Sequence, residues 1–144
     1  MNIRSIVASD FVQWQALYTG YKQFYGVAVN ETDLRTTFDW LIDEHHPQCG
    51  LVLEDNARLI GLANYQRQPN PLRATYRMYL NDMYVDKAYR GRGAGQQLLE
   101  AVIAIYQQGD YECLRWMTAQ DNHAARALYD KYAKLSSFVT YEVR

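Results

Sequence analysis

Neither sign of charge dominates this chain. Lys and Arg number 15, Asp and Glu 16, for a formal net charge of -1. A chain without a basic excess is not built to grip phosphate backbones, so nucleic acid is not an expected partner. No apolar run approaches the roughly 20 residues of a membrane-spanning helix, so a membrane is not expected either. The opening Met1-Asn2-Ile3-Arg4 reads as a strand and carries no signal-peptide core. Cysteine is scarce. Cys49 and Cys113 stand apart with no CxxC pair, which predicts two reduced thiols in a cytoplasmic protein. His45-His46 has no second ligand pair, and adjacent side chains on a helix diverge, so no metal site is expected. Proline is rare as well, at positions 47, 69 and 71 only.

What remains fits a globular protein. The chain has 144 residues and is 49% hydrophobic and 22% charged, enough for one domain over 1–144 with a core of its own. Tyrosine is abundant, at 13 residues. Such enrichment suits a binding cleft, a dimer interface or a core with polar handles, and composition favours the core.

Periodicity orders the elements. Ile3 to Ala8 reads as a strand. Ser9 or Asp10 then caps a helix with Phe11, Trp14, Leu17, Tyr18, Tyr21 and Phe24 on one face, stopped at Gly26. A second helix starts near Asn30 or Thr32, with Leu34, Phe38 and Leu41 inward. Runs at 51–54 and 57–65 flank Asp55-Asn56 as a hairpin. Pro69, Asn70 and Pro71 predict a loop over 67–74. A strand follows over 76–85, then a glycine turn. The next helix turns Leu98, Leu99, Val102, Ile103 and Tyr106 inward and ends at Gly109. Leu114 to Thr118 is a strand, Asp121 or Asn122 caps a last helix, and Phe138 to Val143 is the final strand. The order β α α β β β α β α β predicts an α/β (mixed α+β) domain whose sheet is mostly antiparallel, with one parallel step.

The turn Arg90-Gly91-Arg92-Gly93-Ala94-Gly95 carries the most chemistry. It follows a strand and opens a helix. Glycines let the backbone bend and approach a ligand, while the free N–H groups and the dipole of the helix start favour an anion. Arg90 and Arg92 add positive charge. No glycine is followed by Lys, which excludes a Walker loop, and the third glycine of GxGxxG is missing at Gln96 or Leu98. A tight turn without a ligand is the plain alternative.

Leu80-Asn81-Asp82-Met83-Tyr84-Val85 followed by Arg90-x-x-Gly93-x-Gly95 resembles the acetyl-coenzyme A signature of the GNAT superfamily of N-acetyltransferases. Asn122-His123-Ala124-Ala125-Arg126-Ala127-Leu128-Tyr129 is similar to the family's Asn-x-x-Ala-x-x-Leu-Tyr segment. Two motifs in order, covering roughly 50–143, are far more specific than either alone. Trp14, Tyr21, Phe24-Tyr25, Trp116-Met117-Thr118, Leu128-Tyr129-Asp130-Lys131 and Ser137-Phe138-Val139-x-Tyr141 further resemble a subgroup named for fungal histone-acetyltransferase homologues, which has many bacterial members.

The resemblance implies acetyl transfer from acetyl-CoA to an amine, in a wedge where two strands splay. Met83, Tyr84 and Val85 would pair their backbone with the pantetheine arm. The segment Gly91, Arg92, Gly93, Ala94, Gly95 and Gln96 would cradle the pyrophosphate, with Arg90 and Arg92 reaching phosphate or solvent. Asn122 and Ala125 would meet the cofactor arm, although Asn122 is equally a plain helix cap. An alkyl ammonium must lose a proton before it attacks, and Asp82 is the best-placed carboxylate to take it. Polyamine acetyltransferases of the family often carry Glu where this chain has Asn81, so Asp82 acting as base and Asp82 orienting a loop both stay open. A main-chain N–H near Tyr84 would hold the oxyanion. Tyr129 matches the family's acid for the leaving thiolate. No cysteine falls in either motif, so transfer is expected to be direct. Tyr18, Tyr21, Tyr25, Trp40, Tyr76 and Tyr79 are candidates for an aromatic acceptor wall suited to a cationic amine. Small amines, polyamines, amino acids and lysine side chains are all admissible acceptors. Members of the family often form dimers, which makes a homodimer the expected assembly and Phe138–Val143 a natural strand to exchange. The rival readings are an acyl-CoA sensor of the same fold and an aromatic interaction domain without CoA binding.

Overall fold

The computed structural model describes all 144 residues. The elements are β1 (Asn2–Ser5), α1 (Phe11–Phe24), α2 (Glu31–Ile42), β2 (Gln48–Asp55), β3 (Arg58–Asn70), β4 (Thr75–Val85), α3 (Ala94–Gln108), β5 (Leu114–Trp116) and α4 (His123–Tyr129). The five strands lie side by side in chain order. The first three pairings are antiparallel and β4–β5 is parallel.

The sheet buries both faces, and the alternation of its strands shows how. Val52, Leu59, Leu62 and Tyr84 face α1 and α2, where they meet Trp14, Leu17, Leu34, Phe38 and Leu41. Leu51, Leu53, Ile60, Ala63, Met78 and Leu80 face α3 and meet Ala94, Leu98, Leu99 and Val102. The helix faces expected from three-and-four spacing turn inward, except that Phe24 at the end of α1 is exposed and Phe11, Tyr18, Tyr21, Ile103 and Tyr106 are only half-buried. Asn30 caps α2 as expected, its side chain accepting from the Asp33 N–H at 2.8 Å. Gly26 closes the α1 region with φ +66°. Asp10 does not cap α1 with its side chain. It accepts two hydrogen bonds of 2.8 Å from Arg4 and one of 2.9 Å from the Val7 N–H, joining β1 to the start of α1.

Two expectations are corrected. The stretch 67–74 is not all loop, because β3 pairs with β4 as far as Asn70↔Thr75. Pro69 is tolerated there because β2 ends at Gln48, opposite Gln66, leaving that edge of β3 without a ladder. Phe138–Val143 is not a strand of the sheet. It lies unpaired, so the order ends at α4. The cause lies in the neighbourhood and not in the residues: β5 is only three residues long, and the segment makes no ladder with it.

Candidate active site

Two defects in β4 define the site. The first is where its parallel partner stops. β5 pairs over Met78↔Leu114, Tyr79↔Arg115 and Leu80↔Trp116, and no further. From Asn81 to Val85, β4 has a partner only in β3. Met83, Tyr84 and Val85 thus border an open strand edge, a place where an extended ligand can add its own hydrogen bonds.

The second defect is a bulge. Asn64 pairs with Asp82 while Tyr65 pairs with Leu80, leaving Asn81 as the extra residue. A bulge shifts the side-chain parity of the strand beyond it. Met78 and Leu80 face α3, but Asp82 and Tyr84 face α1 and α2. The bulge thereby turns Asp82 under α1. Its Oδ2 accepts from the Tyr18 hydroxyl and from Asn64 Nδ2, both at 2.9 Å. Both donors are neutral, and no ion pair satisfies this carboxylate. Asn64 is 1% exposed, and its Oδ1 has no partner. Burial and the nearby Asp82 charge push the phenols of Tyr18 and Tyr21 well above their usual range, so both stay protonated. Asn81 Oδ1 accepts from Gln48 at 3.0 Å and Gln66 at 3.1 Å.

A cavity of about 190 Å³ opens beside Asp82, walled by Tyr18, Thr37, Trp40, Leu41, Gln48, Asn64 and Asn81. Of the aromatic candidates, Tyr18 and Trp40 line it. Tyr21 packs against Tyr18 at 5.5 Å, one step behind the wall. Tyr25, Tyr76 and Tyr79 do not line it. Tyr25 is exposed beside Phe24, Tyr76 lies beneath the Arg67 guanidinium at 3.5 Å, and Tyr79 belongs to β4 before the bulge. His46 stacks on Trp40 at 5.1 Å. A larger cavity, about 530 Å³, lies between α1 and the ends of β3 and β4. Its wall includes Gly20, Phe24, Arg58, Tyr84 and Lys87 but not Asp82.

The glycine turn follows. Gly91 and Gly93 have φ +77° and +79°, and a Cβ at either would meet nothing within 4 Å. Glycine is required here by backbone angle, with open space in front of it. Gly95 is different, being already helical. The first helical bond of α3 runs from the Gln97 N–H to the Gly93 carbonyl at 3.0 Å, so the N–H groups of Ala94, Gly95 and Gln96 have no helical acceptor. Arg90 folds back, its Nε donating to the Val85 carbonyl at 3.1 Å and its guanidinium lying 5.4 Å from the Tyr84 ring. Arg92 lies 5.3 Å from the Tyr89 ring. The Gln96 side chain donates to Glu100, so only its main chain is turned to the turn.

Tyr129 stands across the parting of the strands. Its ring packs edge-on against Trp116, the last residue of β5, at 5.3 Å. Burial, with Tyr25 nearby, raises its phenol above the usual value. No hydrogen bond joins it to Asp82. Asn122 precedes α4 but makes no side-chain cap. Its Nδ2 donates to Thr118 Oγ1 at 3.2 Å. Ala125 is half-buried on the same helix. Arg126 braces the approach by donating to the Gln120 carbonyl at 2.7 Å.

Asn64 and Gln48 line the cavity beside Asp82 and were missed by motif reasoning. The bulge itself left a signal: the apolar positions Met78, Leu80, Met83 and Val85 skip from spacing two to spacing three at Asn81–Asp82.

Residues 14–133 match the model of the acetyltransferase (GNAT) family. The chain belongs to the GNAT acetyltransferase family. Among relatives of this N-acetyltransferase is the uncharacterized N-acetyltransferase YhfO of Bacillus subtilis, 31% identical over 98% of the chain and 95% of the relative. Another is the D-amino-acid N-acetyltransferase HPA3 of Saccharomyces cerevisiae, 28% identical over 97% and 88%. The fold agrees with the ribosomal-protein-alanine N-acetyltransferase of Brucella melitensis, with TM-score 0.82 and 18% identity over 99% and 97% of the two chains. The integron cassette protein of Vibrio cholerae gives 0.84 at 20% identity over 99% and 91%.

Proposed function

We propose that this GNAT enzyme acetylates a small cationic amine that lacks a carboxylate, with acetyl-CoA as donor. One observation carries the acceptor: Asp82 is a carboxylate with only neutral partners, in a cavity walled by Tyr18 and Trp40. An ammonium group supplies the missing countercharge, and an aromatic wall favours it further. No Lys or Arg lines the cavity, so a substrate carboxylate would have no countercharge there. That separates the proposed acceptor from the D-amino acids in the name of HPA3. The identity with HPA3 does support the resemblance to the fungal subgroup.

The residues present fit the donor. The open edge of β4 at Met83, Tyr84 and Val85 suits the pantetheine arm. The unused N–H groups behind Gly91, Arg92 and Gly93, at Ala94, Gly95 and Gln96, suit the pyrophosphate. Asn122 and Ala125 would border the arm from α4. Arg90 shapes the turn by holding the Val85 carbonyl. Acetyl-CoA supplies a thioester. The chain supplies two proton sites. Asp82 takes the proton of the bound ammonium. The Tyr129 hydroxyl, kept protonated by burial, gives one to the departing thiolate.

Alkyl diamines, alkyl monoamines and D-amino acids, compared by CoA release, test the acceptor. The expected result is kcat/KM at least tenfold higher for amines without a carboxylate. A preference for D-amino acids would overturn the acceptor assignment. Asn81, occupied by Gln48 and Gln66, favours a second reading, an acyl-CoA sensor. Binding of acetyl-CoA in a calorimeter with no turnover of any amine would select it.

A further inference from the structure

The helix that carries Tyr129 is held loosely. α4 has seven residues and buries none of them fully. Leu128 and Tyr129 are only partly buried on the α3 core. The side-chain hydrogen bonds around the helix stay local. Asn122 donates to Thr118, and Arg126 donates to the Gln120 carbonyl. Leu128 rests near Gly95, and Tyr129 packs against Trp116. Apolar contacts are non-directional, so alone they would let the helix turn or slide and carry the Tyr129 hydroxyl with it.

One side-chain hydrogen bond crosses from this end of the chain to α3. The Tyr132 hydroxyl donates to Glu100 Oε1. Tyr132 lies in the turn that closes α4. Its N–H and that of Ala133 both donate to the Tyr129 carbonyl, at 3.0 and 2.9 Å. Fixing Tyr132 therefore fixes the peptide of Tyr129. The same Glu100 oxygen accepts from Gln96 Nε2 at 3.0 Å. Gln96 stands in the first turn of α3, whose free N–H groups suit the pyrophosphate. One carboxylate oxygen thus joins that cradle to the turn behind Tyr129. The bond from Tyr132 holds the Glu100 carboxyl below its usual range, and the bond to Glu100 holds the Tyr132 phenol above its own. Around neutral pH the pair stays carboxylate and phenol, the charge-assisted form.

We propose that Glu100 is a positioning residue for acetyl transfer, which through Tyr132 holds the Tyr129 hydroxyl in register with the donor cradle at Gln96. The role rests on the reading of Tyr129 as the acid. Glu100 and Tyr132 are both exposed, so their bond adds little to the stability of the fold. Its loss should be read in rate and not in melting.

Tyr132→Phe removes only the hydroxyl. With an alkyl diamine and acetyl-CoA at saturation its kcat should fall about fivefold, with the amine KM and the melting temperature unchanged. Glu100→Ala should give the same fall, and Glu100→Gln, which keeps an acceptor oxygen, a smaller one. The Glu100→Ala/Tyr132→Phe pair should lose no more than either alone. On a Tyr129→Phe background Tyr132→Phe should cost nothing further, because the hydroxyl it places is gone. The indole N–H resonance of Trp116, against which Tyr129 packs, should move in Tyr132→Phe. Full kcat in Tyr132→Phe, additive losses with Tyr129→Phe, or an unmoved Trp116 resonance would overturn the proposal and leave Tyr129 as the acid. A wild type that turns over no amine, or a Tyr129→Phe variant at the wild-type rate, would instead overturn the acid, and the positioning role with it.

Discussion

Asp82 and Tyr129 are placed by different means, and their substitutions should fail differently. Asp82 is held by neutral donors, the Tyr18 hydroxyl and the Asn64 amide. Asp82→Asn keeps the size but loses the charge and the basic site. A fall in kcat/KM for the amine of roughly 10²–10³ is expected, with acetyl-CoA affinity unchanged by calorimetry. Tyr129 touches Trp116 and makes no side-chain hydrogen bond, so Tyr129→Phe should leave the melting temperature within a degree or two. Its kcat should drop by about 10–100-fold, read by CoA release at saturating amine.

At the scale of the element, the turn before α3 distinguishes one glycine from another. Gly93 has φ +79°, so Gly93→Ala must hold an L side chain in the left-handed region at a cost of about 1–2 kcal/mol. Acetyl-CoA binding should weaken about tenfold in the calorimeter. Gly95 is helical, and the nearest atom to an added Cβ is Leu128 Cδ2 at 3.9 Å. Gly95→Ala should bind as the wild type does. The contact of α1 with β4 has less tolerance. A Cβ at Gly20 would come within 2.6 Å of the Tyr84 hydroxyl. Gly20→Ala must displace the Tyr84 ring near the end of β4, and a loss of about 1–3 kcal/mol in urea unfolding is expected.

Across the whole molecule, two cores share one sheet, and an ion pair ties its first strand to its first helix. Asp10 is 7% exposed, and the Arg4 guanidinium holds its carboxyl below the usual range. A carboxylate depressed in the folded state stabilises above the unfolded value near 3.9, and the gain disappears as pH falls through the folded value. Asp10→Asn should cost about 2 kcal/mol at pH 7, less than a fully buried pair because the Arg4 side chain is 31% exposed. Urea titrations at successively lower pH should show the difference from wild type shrinking as the pH falls below about 4.

Local signals were legible in the residues alone. The faces of α1, α2 and α3 follow from three-and-four spacing, because burial on one side of a helix is a local pattern. The glycines at 91 and 93 announce a backbone angle that only glycine adopts without strain. The signature around Asp82 and the segment ending at Tyr129 named the candidates. Their surroundings came from elsewhere in the chain. Asn64 lies 18 residues from Asp82 and Tyr18 64 residues away, and only strand register and the packing of α1 bring them to one carboxylate. The bulge at Asn81 decides which face Asp82 occupies; β4 marks its place by a change in apolar spacing, and its register comes from the pairing with β3. The sequence by itself determined that Phe138–Val143 alternates like a strand. Tertiary structure decided that it has no sheet in its own chain, because a strand needs a neighbour's ladder and β5 makes none with it.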